Sequence, residues 1–169
     1  GGLVSLGDGE VIEKRLLPTL PARGGDAVLE DVVEMASELA GIAQRHHWQM
    51  AGVGLGAPEL VDTQGNIMSH QTLPWNQLDV QELLNKRWPA TVESDVRAAA
   101  LAEALYGAGR AFRQFVYVTV GTGISHTLVV DGVPFAGARG NALVFASAPV
   151  TVDCPHCGRR IRPVLEDYA

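Results

Sequence analysis

Cysteine is almost missing from this chain: its 169 residues hold two, both in "CPHC". A pair so close in sequence reads as metal or redox chemistry before it reads as a secreted disulfide framework, so a reducing compartment is expected. Long apolar runs are missing too. The longest are strand-sized, and no basic flank followed by an apolar core stands at the start, so neither a signal sequence nor a spanning helix is expected. There is no internal repeat, low-complexity tract or long run of one charge. The formal net charge of -6 is spread along the chain, which argues against a nucleic-acid surface and for a small-molecule partner. With 47% hydrophobic and 19% charged residues, the composition fits one globular domain or two small lobes of a soluble cytoplasmic protein. At this length a compact chain buries about two-thirds of its unfolded surface, enough for a core without staples.

The pattern alternates strand and helix. "GGLVSLGDGEVIEKRLLPT" predicts two short strands, Leu3 to Leu6 and Val11 to Leu17, with Asp8-Gly9 as the hairpin signal. From Asp26, Val28, Leu29, Val32, Val33, Met35, Ala36, Leu39, Ile42 and Ala43 recur at helical spacing, predicting an amphipathic helix to about His47. A buried strand from Met50 to about Gly56 runs into a turn rich in glycine and proline. Asp79 and Glu82 have capping-box spacing ahead of a short helix that Pro89 stops. "ATVES" predicts a strand, Val96 to Tyr106 a helix ended by Gly107, and "FVYVTVGTG" and "ISHTLVVDGVPF" two more strands, the last closing on Asp131-Gly132. The expectation is a mixed α/β protein whose partly antiparallel sheet carries the two long helices.

Strand ends followed by glycine turns are where such folds place ligands. In "VGTGIS", Gly121 and Gly123 flank Thr122, offering unhindered backbone N–H groups and one hydroxyl to an anion such as phosphate. The same stretch also reads as a plain hairpin turn. In "VESDVRAAALAEALYGAG", Asp95 stands just ahead of a run of alanines. It either caps that helix or takes a proton from a substrate, and the two roles are compatible.

Six stretches in order, "DGEVIEK", "GVGLGAPELVD", "VESDVRAAALAEALYGAGR", "FVYVTVGTGI", "LVVDGVPFAGARGNA" and "CPHCGRR...LEDYA", resemble the ROK family of repressors, open reading frames and kinases. The resemblance covers nearly the whole chain. It implies a fold like that of actin and hexokinase, with mixed sheets of the ribonuclease H type flanked by helices. It also implies ATP-dependent phosphorylation of a sugar hydroxyl with magnesium, or, in the repressor branch, sugar sensing behind a helix-turn-helix. Residues 1–110 would form the sugar-kinase-like lobe, and 111–169 the start of a second, incomplete lobe holding the phosphate-type turn and the cysteine loop. Asp95 aligns with the family's general base, Ser94 stands where an asparagine usually bonds the sugar, and Glu166 matches a sugar-contacting glutamate. Gly121, Thr122 and Gly123 would face the nucleotide.

The departures from the family are as informative as the matches. The family's Asp and Gly-Gly-Thr phosphate turn has no counterpart, and Ser125, His126 and Thr127 replace glycines beside the second turn. His126 reads as a strand-surface histidine. Leu143, Val144, Phe145, Ala146 and Ser147 stand where the family has Gly-Glu-Ile-Gly-His, so a sugar-binding glutamate and a histidine that binds sugar and zinc are both replaced. Each buried polar group of a ligand left unpaired there would cost about 1–3 kcal/mol. Cys154 and Cys157 supply two of the four ligands that structural zinc wants, and two reduced loop cysteines are the plainer reading. The expected partners are a sugar or related small molecule and a second copy of the chain, with neither membrane nor, through this chain alone, DNA. The family continues with helices that complete the ATP lobe, so a fragment or a short form of such a protein is expected.

Overall fold

The computed structural model describes residues 1–75, 78–121, 123–141 and 151–162. They divide into two compact units, Gly1–Ala98 and Ala99–Ala169.

In the first unit, β1 (Gly2–Val4) and β2 (Val11–Lys14) form an antiparallel pair. The Asp8-Gly9 signal sits in their turn, where Gly9 takes φ 77 and the Asp8 carboxylate accepts the Glu10 N–H at 3.1 Å. Helix α1 spans Gly25–Arg45 and buries Val28, Leu29, Leu39 and Ala43, the stripe its spacing predicts. Its start is fixed by contact: the Gly25 N–H donates to Pro74 O at 3.1 Å, and a Cβ on Gly25 would lie 2.7 Å from that oxygen. Its end is a Schellman turn. The Trp48 N–H returns to Ala43 O and the His47 N–H to Gln44 O, with His47 rather than glycine in the left-handed region at φ 57.

Strands β3 (Val53–Ala57) and β4 (Ala90–Ser94) are parallel, in register from Val53 opposite Ala90 to Ala57 opposite Ser94. Parallel neighbours need a crossover, and this one contains helix α2 (Val80–Asn85). The Asp79 carboxylate accepts the Glu82 N–H at 2.8 Å, as the spacing of these residues predicts. One core unites α1 (Val28, Leu29), the β3–α2 connection (Val61, Leu73, Trp75), α2 (Val80, Leu84) and β4 (Val92). Within the unit, a largely apolar groove of about 1300 Å³ is lined by Leu3, Val32, Met35, Leu39, Val53 and Leu55. It parts β1 from β3. The single sheet expected from the sequence is therefore divided, into two small ones in this unit and four among the described residues.

Helix α3 (Asp95–Leu105) follows β4 without a loop. In the second unit, β5 (Gln114–Val120), β6 (Ile124–Val130) and β7 (Val133–Pro134) make an antiparallel meander. Its second turn places Asp131 and Gly132 at φ 49 and 80, the conformation that Asp-Gly favours in tight hairpins. Pro134 sits in the two-residue edge strand, where its missing N–H costs little. A last hairpin pairs β8 (Val152–Asp153) with β9 (Arg160–Ile161). Among the described residues, no helix is long and apolar enough to cross a membrane.

Candidate functional site

Because β3 and β4 are parallel and end in register, the first unit presents two strand carboxyl ends at one edge. Ligands of open α/β sheets bind at such edges. Ser94 is buried as the last residue of β4, and Asp95 is exposed as the first of α3. Gly56 brings β3 close to this junction: a Cβ on it would meet the Asp95 Cα at 3.5 Å. Among the described residues the Asp95 carboxylate accepts one hydrogen bond, at Oδ1 from the adjacent Val96 N–H at 2.7 Å. It does not reach the N–H groups further into the helix, as a full cap would. The cap reading therefore shrinks to a contact with the next residue, and an exposed carboxylate is left at the helix start.

Three side chains that the sequence did not single out build the surroundings. Glu93 Oε1 accepts the Ser94 N–H at 2.7 Å and Arg97 Nε at 2.7 Å, and it pairs with the Arg97 terminal nitrogen as well. Arg97 is 5% exposed and also donates to Val61 O at 2.5 Å, which ties the first turn of α3 to the segment after β3. That segment closes on Glu59, which is 6% exposed. Glu59 Oε1 accepts the N–H groups of Thr72 at 2.7 Å and Leu73 at 3.0 Å, while Oε2 accepts the Gln71 N–H at 3.2 Å and the Ser69 hydroxyl. Burial alone would raise the Glu59 pKa, but the bonds from Ser69, Leu73, Thr72 and Gln71 outweigh it and hold the carboxyl below its ordinary range. A smaller knot follows: Asp62 accepts the Gln64 and Asn66 N–H groups and the Asn66 side-chain amide, which lowers its pKa as well.

The glycine turn joins β5 to β6 as a hairpin loop in which the Gly121 N–H donates to Gly123 O at 2.9 Å. A Cβ on Gly121 would meet nothing within 4 Å, so the turn is open on that side. Thr122 and Glu166 lie outside the described residues, as do Leu143 to Ser147. His126 lies on β6 opposite Val118, half-buried, and burial pushes its pKa down.

Cys154 and Cys157 sit in the β8–β9 turn as free thiols. The Gly158 N–H returns to Cys154 O and the Cys154 N–H to Arg159 O, each at 2.9 Å, with Gly158 at φ 67. Backbone N–H groups of His156 and Cys157, then the Cys157 thiol, lower the pKa of the Cys154 thiol. No group of three metal-ligating side chains occurs among the described residues. Two thiols are half of the four ligands structural zinc takes, and no third metal-ligating side chain joins them among the described residues.

The mixed α/β architecture is that of an actin- and hexokinase-like fold. A ROK family glucokinase from Streptomyces griseus, solved in complex with glucose and AMPPNP, superposes with a TM-score of 0.79 at 24% identity. The match covers 99% of this chain and 52% of that one. The ROK family model matches residues 6–167, and the chain belongs to that family. A glucokinase from Thermotoga maritima is 30% identical over 99% of this chain and 52% of its own length. A xylose repressor from Bacillus subtilis is 23% identical over 71% of this chain and 32% of its own. The chain thus spans about half the length of its glucokinase relatives.

Proposed function

We propose that this chain is part of a ROK sugar kinase that transfers the γ-phosphoryl group of ATP to a sugar hydroxyl. Asp95 serves as general base. The observation that carries the reading is its exposed carboxylate at the joint carboxyl edge of β3 and β4. In the step, a sugar hydroxyl oxygen bonds to the γ-phosphorus, the bond from that phosphorus to the bridging oxygen of ADP breaks, and the hydroxyl proton passes to Asp95. Such transfer depends on positioning and charge, and a carboxylate fixed at a helix start supplies both. Ser94 and Glu166 contact the sugar, and Gly121, Thr122 and Gly123 cradle phosphate, with magnesium carried by the nucleotide. Residues 1–110 belong to the sugar lobe and 111–169 to the nucleotide lobe of a cytoplasmic protein able to self-associate. Cys154 and Cys157 hold zinc only if residues outside those described add two ligands.

A second reading is favoured by the repressor relatives and by the apolar Leu143 to Ala146 in place of polar family residues. In it the chain senses a sugar without turning it over. One experiment separates the two: sugar-dependent ATP consumption by the full-length polypeptide, measured beside sugar binding by calorimetry. Turnover that Asp95→Asn abolishes supports the kinase. Binding without turnover refutes it in favour of the sensor.

A further inference from the structure

We infer that Arg97 is a positioning residue of this site, which selects the carboxylate of "VESD" that is left to act. This rests on the reading of Asp95 as the base. Glu93 and Asp95 lie two residues apart where β4 becomes α3, and either could in principle take a proton. Their surroundings differ sharply. Glu93 Oε1 accepts the Ser94 N–H and two nitrogens of Arg97, whereas the Asp95 carboxylate accepts only the neighbouring Val96 N–H among the described residues.

Arg97 is 5% exposed on an otherwise alanine-rich helix, so contact with solvent does not account for it. A guanidinium stays charged even when buried, and it is tolerated there only where acceptors match its fork. Two are provided. One is the Glu93 carboxylate, and the other is the carbonyl of Val61, itself 1% exposed in the core. The carbonyl is thereby a fixed anchor. Arg97 pins the first turn of α3, and with it the Cα of Asp95, to the strand end on one side and to the connection gathered by Glu59 on the other. It also neutralises Glu93. Without it, the Glu93 carboxylate would lose its paired cation two residues from Asp95. Lysine keeps the charge but, as a point donor, does not reproduce the fork to both acceptors.

The test is steady-state kinetics of the full-length polypeptide carrying Arg97→Lys, Arg97→Met, or Arg97→Met with Glu93→Gln. Arg97→Met is expected to lower kcat about 100-fold, the size of effect a misplacement of about 1 Å produces, with the nucleotide KM unchanged. Arg97→Lys is expected to fall between it and the native protein. Adding Glu93→Gln to Arg97→Met is expected to restore about tenfold of the loss, because the carboxylate left without its cation is gone. A residue that served packing alone would show no such recovery, and that result overturns the inference. Should Arg97→Met not fold, Arg97→Lys decides: kcat equal to native refutes positioning, and a fall of about tenfold at unchanged nucleotide KM supports it. A native polypeptide without turnover overturns the proposed function and this inference with it. Full activity of Arg97→Met in an active background overturns the inference alone.

Discussion

Replacing Glu59 by glutamine removes one charge and exchanges one oxygen for an amide NH2, and the consequence follows bond by bond. If the retained oxygen takes the Oε1 place, the Thr72 and Leu73 N–H groups keep their acceptor. At the Oε2 place, the Ser69 hydroxyl can rotate to accept from the new NH2, but the Gln71 N–H faces another donor. One buried orphan costs about 1–3 kcal/mol, and two charge-assisted bonds made neutral lose up to about 1 kcal/mol each. Together they predict a loss of about 1–5 kcal/mol. For a chain of this size that corresponds to a fall of about 2–20 °C in melting temperature, read by calorimetry at neutral pH. The sign with pH is fixed as well. The Glu59 pKa is lower in the folded protein than in the unfolded chain, so its contribution is complete above the unfolded value, about 4.3. It is lost as pH falls through the folded value. The difference between native and Glu59→Gln proteins should therefore shrink on acidification below about pH 4. A change under about 0.5 kcal/mol at pH 7, within the ordinary range of surface substitutions, would refute the closed-loop account.

Asp95→Asn in the full-length polypeptide should cut sugar-dependent ATP consumption about 100- to 10,000-fold while costing under about 1 kcal/mol, since the amide oxygen still accepts the Val96 N–H. Unchanged turnover measured in a coupled assay would remove it from the mechanism. Gly25→Ala should destabilise by about 1–3 kcal/mol in urea unfolding, because its Cβ would lie 2.7 Å from Pro74 O and 2.8 Å from Trp75 Cα. A neutral result would mean that the start of α1 yields. Alkylation followed by mass spectrometry should find Cys154 reactive from a lower pH than an ordinary thiol, whose midpoint is about 8.5. An ordinary pH profile contradicts the N–H contacts of its turn. Metal analysis of purified protein should show well under one zinc per chain; stoichiometric zinc lost on Cys154→Ser with Cys157→Ser would show that undescribed residues finish the site.

Much of the fold was legible because the signals that carry it are local. The α1 stripe, the Asp79 cap, both Asp-Gly turns and the "ATVES" strand depend on residues within a turn or two of one another. Pairing is not local. Nothing in the strands' composition tells that β1 and β2 stand apart from β3 and β4 across a groove. The end of α1 was placed nearly right, yet its device was hidden: a Schellman turn ordinarily announces itself by glycine, and here His47 takes the left-handed position.

The site divides along the same line. Asp95 could be named from its place before an alanine run, whereas Glu59 and Arg97 could not, because Glu59's partners are mostly backbone N–H groups, and one of Arg97's is a carbonyl, far away in sequence. Glu59 reaches residues 69–73, and Arg97 reaches a carbonyl 36 positions earlier. The spacing of Glu93 and Arg97 was visible as a four-residue step, but that step signals a pair only along one helix, and Glu93 lies on a strand. The bond forms because β4 passes into α3 without a loop, so the turn that carries Arg97 folds back over the strand's last residues. The geometry that exposes Asp95 is thus the geometry that occupies Glu93. On the proposed reading, the choice between the two acids falls to a junction that neither residue's own sequence neighbourhood records.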